Sequence, residues 1–354
     1  MTRAAAPLTL ASLLAVGVAL AAPRQSEEAF TTLDDAPFVR GVALGLFATD
    51  PEWDYGPMVE EIRARGATDV LVVVNAYQTT RFASDIALQP GRSPSHGTVA
   101  RTLAQVRDAG MRLALMPVVR LERRVTHEWR GTIAPADGLD AWFRSYRRFV
   151  LPLARLAEEA GAERLVIGSE LSSLERYEHR WRALIMEARE RFSGTMTYSA
   201  NWDHAGAVRF WDALDEVGMT AYFPVGGSES PTDRALADAW RTPLQQIDGL
   251  RRRTGKPVLI TEVGYTSQRG AAAQPWEHTS STEVDLQLQR ALYRGFCNAF
   301  SQTPSVSGFY VWNWFGVGGP RDAGFTPRGK PAASELEQCF ARQWPAPTHA
   351  GNES

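Results

Sequence analysis

Eight short apolar runs recur along this chain, each parted from the next by a longer stretch, and few folds accommodate that spacing. The runs are residues 39–47, 69–75, 112–119, 164–169, 195–201, 216–222, 257–263 and 307–312. Between them lie segments of helical period at 55–65, 98–109, 139–160, 174–192, 235–254 and 283–301. In the last of these, Leu288, Leu292, Phe296 and Phe300 recur every fourth residue and so share one helix face. Runs without alternation, such as Val70-Leu71-Val72-Val73-Val74, suit a parallel sheet covered on its outer side. Glycine follows four of the helical segments, at Gly66, Gly110, Gly161 and Gly255, where left-handed caps are expected. The weakest link is 205–214, which leaves room only for a short helix. This alternation predicts an α/β chain folded as a single-domain (β/α)8 barrel, or TIM barrel. A doubly wound open sheet shares the alternation, but Gly41 and Gly45 after the start of the first run do not make its G-x-G-x-x-G phosphate loop.

With 44% hydrophobic and 22% charged residues, the 354-residue chain can bury a large core, so disorder and fibrous classes drop out. A formal net charge of −2 argues against nucleic acid or an anionic membrane as partner. The arginines 251–253 are expected at the solvated end of a helix. Near the N-terminus Arg3 precedes an apolar run at 8–20 and the small-residue site Ala19-Leu20-Ala21, the layout of a cleavable leader. The expected division is therefore a signal peptide at 1–22, an N-terminal segment at 23–37, the catalytic barrel at 38–344 and a flexible tail at 345–354. Export to the periplasm or the medium follows, with no membrane attachment after cleavage; a monomer is the favoured state. Cys297 and Cys339 are expected on the last two barrel helices. An oxidising compartment permits a bridge between them, and two buried free thiols are the alternative.

In a barrel of this type the active site forms at the C-terminal ends of the strands, so polar residues that end apolar runs matter most. Glu170 ends the fourth run and Glu262 the seventh, nearly opposite each other around the ring. Hydrolysing an acetal requires a proton for the leaving oxygen and a negative group at an oxocarbenium-like carbon, and two carboxyl groups supply both. The bland reading of either glutamate is an ion pair with an arginine at a loop base. Two on opposite strands favour catalysis.

The segments Gly168-Ser169-Glu170-Leu171, Asn201-Trp202-Asp203-His204, Ile260-Thr261-Glu262-Val263-Gly264-Tyr265, Val311-Trp312-Asn313-Trp314 and Gly329-Lys330-Pro331-Ala332 are similar to glycoside hydrolase family 113. The resemblance runs over roughly residues 38 to 340 and implies a retaining barrel hydrolase, chiefly an endo-β-1,4-mannanase. It implies Glu170 as acid/base and Glu262 as nucleophile, with Tyr222 hydrogen-bonded to the nucleophile. Many members of the wider clan have asparagine before the acid/base, where it contacts the sugar 2-hydroxyl, and here Ser169 stands there.

Asn75 and Tyr77 at the second strand, Asn201, Trp202, Asp203 and His204 after the fifth, and Trp312 and Trp314 at the eighth are candidate substrate-binding groups. Period-two alternation would point both tryptophans one way and Asn313 the other. Trp53 and Tyr55 would extend this sugar platform. A lone histidine is no metal site, and neither H-E-x-x-H nor G-x-S-x-G occurs, so no metal or cofactor is expected. The expected partner is a polysaccharide or oligosaccharide substrate. Two rivals stay open: a hydrolase of a bacterial exopolysaccharide or amino-sugar wall glycan, and a non-catalytic glycan-binding barrel.

Overall fold

A computed structural model describes residues 1–2, 37–227, 231–277, 281 and 283–345. Strands β1 (Val39–Gly45), β2 (Asp69–Gln78), β3 (Arg112–Leu121), β4 (Arg164–Ser169), β5 (Thr195–Ala200), β6 (Val217–Thr220), β7 (Val258–Val263) and β8 (Val306–Val311) pair in parallel in chain order. β8 closes on β1, with Val39 opposite Gly308. Around them run α1 (Gly56–Ala64), α2 (His96–Asp108), α3 (Leu139–Glu159), α4 (Glu178–Arg189), α5 (Asp233–Thr254), α6 (Leu286–Phe300) and α7 (Pro331–Phe340). The expected (β/α)8 barrel is thus the fold. Nearly all of the expected leader and of the N-terminal segment, and the tail beyond Pro345, fall outside the described residues.

Closure divides each strand into an inner and an outer face. Leu71 and Val73 of β2, Ala114, Met116 and Val118 of β3, Val166, Leu259 and Tyr310 fill the inside. At the N-terminal end, Arg164 and Glu216 form a doubly hydrogen-bonded buried ion pair, and the guanidinium also reaches Tyr310 Oη at 3.4 Å. The outer faces meet the helices in one continuous apolar layer. α6 shows how the sequence places a helix there: the Asp285 carboxylate caps its start by accepting from Leu288 N, and the fourth-residue face is wholly buried. Each such Leu or Phe contributes about 1.5–3 kcal/mol by leaving water. Cys297 on α6 and Cys339 on α7 are bridged, with Cα atoms 5.8 Å apart.

The four expected glycine joints have positive φ, between 64° and 82°. Between β5 and β6 the link is, as expected, too short for more than brief helical turns, the 3-10 helices Ala205–Ala207 and Trp211–Ala213. Two expectations need correction. The segment 174–192 is not one helix: it opens with a 3-10 turn at Ser172–Leu174 and becomes α-helical only from Glu178, because Glu175 turns inward to accept from Tyr198 Oη at 2.9 Å. Of the three arginines ending α5, Arg251 is buried and bonded to Asp248, while Arg252 and Arg253 are exposed.

Candidate active site

Both glutamates emerge at the same rim, and the sheet is irregular beside each. Register shifts occur between Val166 and Ser169 on β4 and between Met219 and Thr220 on β6 where it pairs with β7. Such irregularities re-aim the side chains that follow. Glu170 has φ of +53°, a left-handed backbone rare outside glycine. It is held there by bonds to β5: Glu170 N donates to Ser199 O at 2.8 Å, and the next amide, Leu171 N, donates to Tyr198 Oη at 2.8 Å. A strained residue retained at a strand end points to function.

Glu262 and Glu170 are both buried, at 2% and 7% exposure. Ser169 Oγ donates to Glu262 Oε1 and Tyr222 Oη to Glu262 Oε2, each at 3.1 Å. Arg130, in the turn Arg130–Thr132 of the loop after β3, donates from Nη2 to Glu170 Oε2 at 2.6 Å and from Nε to Ser169 O at 3.1 Å. Ser173 Oγ donates to Ile133 O at 2.6 Å, which ties that loop to the segment following Glu170. The arginine partner of the bland reading is therefore present, but its charge is felt by both glutamates.

Burial, and next the charge of Glu170, push the Glu262 carboxyl up to about 7; Arg130, Ser169 and Tyr222 pull the other way. Tyr222 is pushed well above its ordinary value, first by burial and then by the two glutamates, so it remains a donor. The arrangement holds two carboxyl groups, one guanidinium and two hydroxyl donors at one rim, enough to move a proton and present an anion without a metal. Among the described residues, no group of three or more His, Cys, Asp or Glu is arranged to hold a metal ion.

The other expected residues divide. Trp202 stacks on Trp276 with ring centroids 5.9 Å apart and packs against Phe223. Asn201 Nδ2 donates to Asp203 Oδ1 at 2.6 Å, and His204 Nδ1 lies 3.2 Å from Glu175 Oε2. Asn75 is 1% exposed, and neither amide atom has a protein partner. Tyr77 lies under the Arg92 guanidinium, 4.0 Å from its ring centroid. Trp312 packs with Phe47 on the inner cluster. Trp314 does not join it: buried at 2%, it sits in the outer layer and donates from Nε1 to Glu61 Oε2 at 2.9 Å. The reason is that β8 stops at Val311, so strand alternation no longer governs these residues. Tyr55 is likewise core, its hydroxyl accepting from Ala48 N at 3.0 Å, whereas Trp53 is exposed.

Sequence reasoning passed over Arg130 and Trp276, which lie in loops without periodicity, Glu175, which falls in the segment 174–192 read as helical, and Arg120, which does end an apolar run and was open to the same rule that found the glutamates.

The family model described as Glycoside Hydrolase Family 113 matches residues 52–321. No curated protein matches the sequence. Among solved structures, the GH113 β-mannanase AaManA from Alicyclobacillus acidocaldarius in complex with ManMIm is 25% identical, with TM-score 0.78 over 87% of this chain and 99% of its own. A second GH113 β-1,4-mannanase is 23% identical at the same TM-score, over 87% of this chain and 100% of its own. More distantly, a GH5_18 protein from Streptomyces cattleya in complex with Manβ1-4GlcNAc shares the fold at 11% identity and TM-score 0.60, over 88% and 83%.

Proposed function

Because the chain belongs to glycoside hydrolase family 113, we propose that it cleaves a β-linked polysaccharide, β-1,4-mannan-like, with retention of anomeric configuration. It is a glycoside hydrolase; substrate, stereochemistry and individual roles are what the proposal adds. Glu262 attacks the anomeric carbon while Glu170 gives its proton to the leaving oxygen, and Glu170 then draws a proton from the water that frees the sugar. The observation that carries the assignment is the unequal setting of the two carboxyls. Glu262 receives two neutral hydroxyl donors that support its anion at the moment of attack. Glu170 carries the guanidinium of Arg130, which supports its anion in the second step, when it acts as base. The first step requires the proton on Glu170. The mannanases that share the fold make β-1,4-mannan the first substrate to test.

We propose export as well: the leader-like N-terminus and the Cys297–Cys339 bridge both suit an oxidising compartment, where polymeric glycans are met. The test is stereochemical. Glu262→Ala should abolish hydrolysis, with azide restoring turnover and giving the inverted glycosyl azide. Glu170→Ala should still release a good aryl leaving group, and azide should give the retained product. Swapped products would reverse the two roles, and near-normal mannan hydrolysis by both variants would remove the pair from the mechanism.

A further inference from the structure

The β2–β3 side of the mouth holds a positive charge that no anion among the described residues meets. Leu71 and Val73 on β2, and Ala114, Met116 and Val118 on β3, line the barrel interior. The period of two carries that face upward to Asn75 and Tyr77 on one strand and Arg120 on the other. Tyr77 and Arg120 are register partners, and Asn75 stands opposite Val118, one inner position below. The Arg120 side chain is solvent-accessible, with its guanidinium 5.7 Å from the centroid of Phe47, the ring that packs with Trp312.

Two neighbouring arginines have anions, whereas Arg92, bonded to Gln89 Oε1 at 3.0 Å, and Arg124 have no carboxylate partner among the described residues. Arg130 is paired with Glu170 at 2.6 Å and Arg81 with Glu128 at 4.0 Å. Arg120 has no carboxylate and no hydrogen-bond acceptor among the described residues. Its recess in the mouth lowers its pKa, as do the fields of Arg130, Arg124 and Arg92, with Tyr77 opposing. Guanidinium groups close enough for their fields to be felt at Arg120 favour an anion beside it. Asn75 is an independent sign on the same inner face: a buried amide whose oxygen and nitrogen both lack a protein partner. Leaving such a group unbonded costs about 1–3 kcal/mol, which a ligand hydroxyl or carboxylate could recover.

We propose that this face selects an acidic glycan, with Arg120 taking the carboxylate of a uronate or similarly carboxylated sugar and Asn75 bonding the same ring. The placement of that sugar rests on the hydrolase reading above, but the recognition itself does not require cleavage. The discriminating pair of probes is a β-1,4-mannuronate oligosaccharide and the same oligosaccharide after carboxyl reduction to β-1,4-mannose. They share linkage and ring configuration and differ only at C6, a carboxylate in one and a hydroxymethyl group in the other.

Wild-type kcat/KM should favour the acid form by at least tenfold at low salt, and the preference should shrink as salt rises. Arg120→Gln should cut the acid-to-neutral ratio at least tenfold, and Arg120→Lys should restore part of it, which also guards against a folding failure of the first variant. Titration calorimetry in a Glu262→Ala background, with and without Arg120→Gln, reads binding apart from cleavage. Equal rates and equal affinities for the two oligosaccharides would overturn the recognition and leave the hydrolase reading intact. Tighter binding of the acid form, lost with Arg120, while neither oligosaccharide is cut, would sustain the recognition and count against the hydrolase reading. An Arg120→Gln effect of the same size on both forms would overturn it as well.

Discussion

Replacing Glu262 with glutamine should make the protein more stable above neutral pH while destroying its activity. Folding lifts the Glu262 carboxyl from an ordinary value of 4.5 to about 7, chiefly by burial and then by the charge of Glu170. The native state therefore binds more protons than the unfolded chain between those values, so wild-type stability falls as pH rises through that window and stays reduced above it. At about 1.4 kcal/mol per unit, ionising this group in place costs on the order of 3 kcal/mol at pH 8. Glutamine keeps the shape and removes the charge. Its amide still accepts from one of the Ser169 and Tyr222 hydroxyls, and the other hydroxyl can turn to accept. Urea unfolding followed by tryptophan fluorescence, with the disulfide intact, should give Glu262→Gln an advantage of that order at pH 8, shrinking toward zero by about pH 4.5, where the wild-type carboxyl is also neutral. Calorimetry should show a higher melting temperature at pH 8 only. An advantage of equal size at both pH values, or a loss at pH 8, would refute the argument that burial and Glu170 strain this carboxylate.

Arg130→Gln should move the acidic limb of the pH–kcat/KM profile upward by about 1–2 units, because the guanidinium opposes the rise at Glu262 and its loss makes the nucleophile harder to ionise; an unmoved limb would mean that Arg130 serves only to pin its loop. Removing the Cys297–Cys339 bridge by Cys297→Ala with Cys339→Ala should cost about 4 kcal/mol, from the chain entropy of a closed loop of this size, since the two residues are 42 apart in sequence; an unchanged urea midpoint would show that the bridge adds nothing to the α6–α7 packing.

Much of this architecture was already legible in the order of residues, because it depends on local rules that repeat. A strand buried on both faces must be apolar throughout, as at residues 70–74, and a helix must lay its apolar side on the sheet, as α6 does through Leu288, Leu292, Phe296 and Phe300. Eight such alternations leave the chain little choice but to close. Glu170 and Glu262 were visible for the same reason, since a carboxylate ending an apolar run stands out against its neighbours. Sequence could also bring the two cysteines onto adjacent helices, but not say that their Cα atoms approach to 5.8 Å. Where strands stop and which way loops turn escaped it, because those outcomes depend on contacts between residues far apart in the chain. Trp312 and Trp314 differ by two positions, yet one faces the barrel interior and the other meets Glu61, 253 residues away. Arg130 reaches Glu170 across 40 residues from a loop with no period of its own, and Ser169 spans 93 residues to Glu262. The chemistry of the rim lies in these long-range pairings, which exist only once the barrel has closed and burial has made each unpaired charge costly enough to demand a partner.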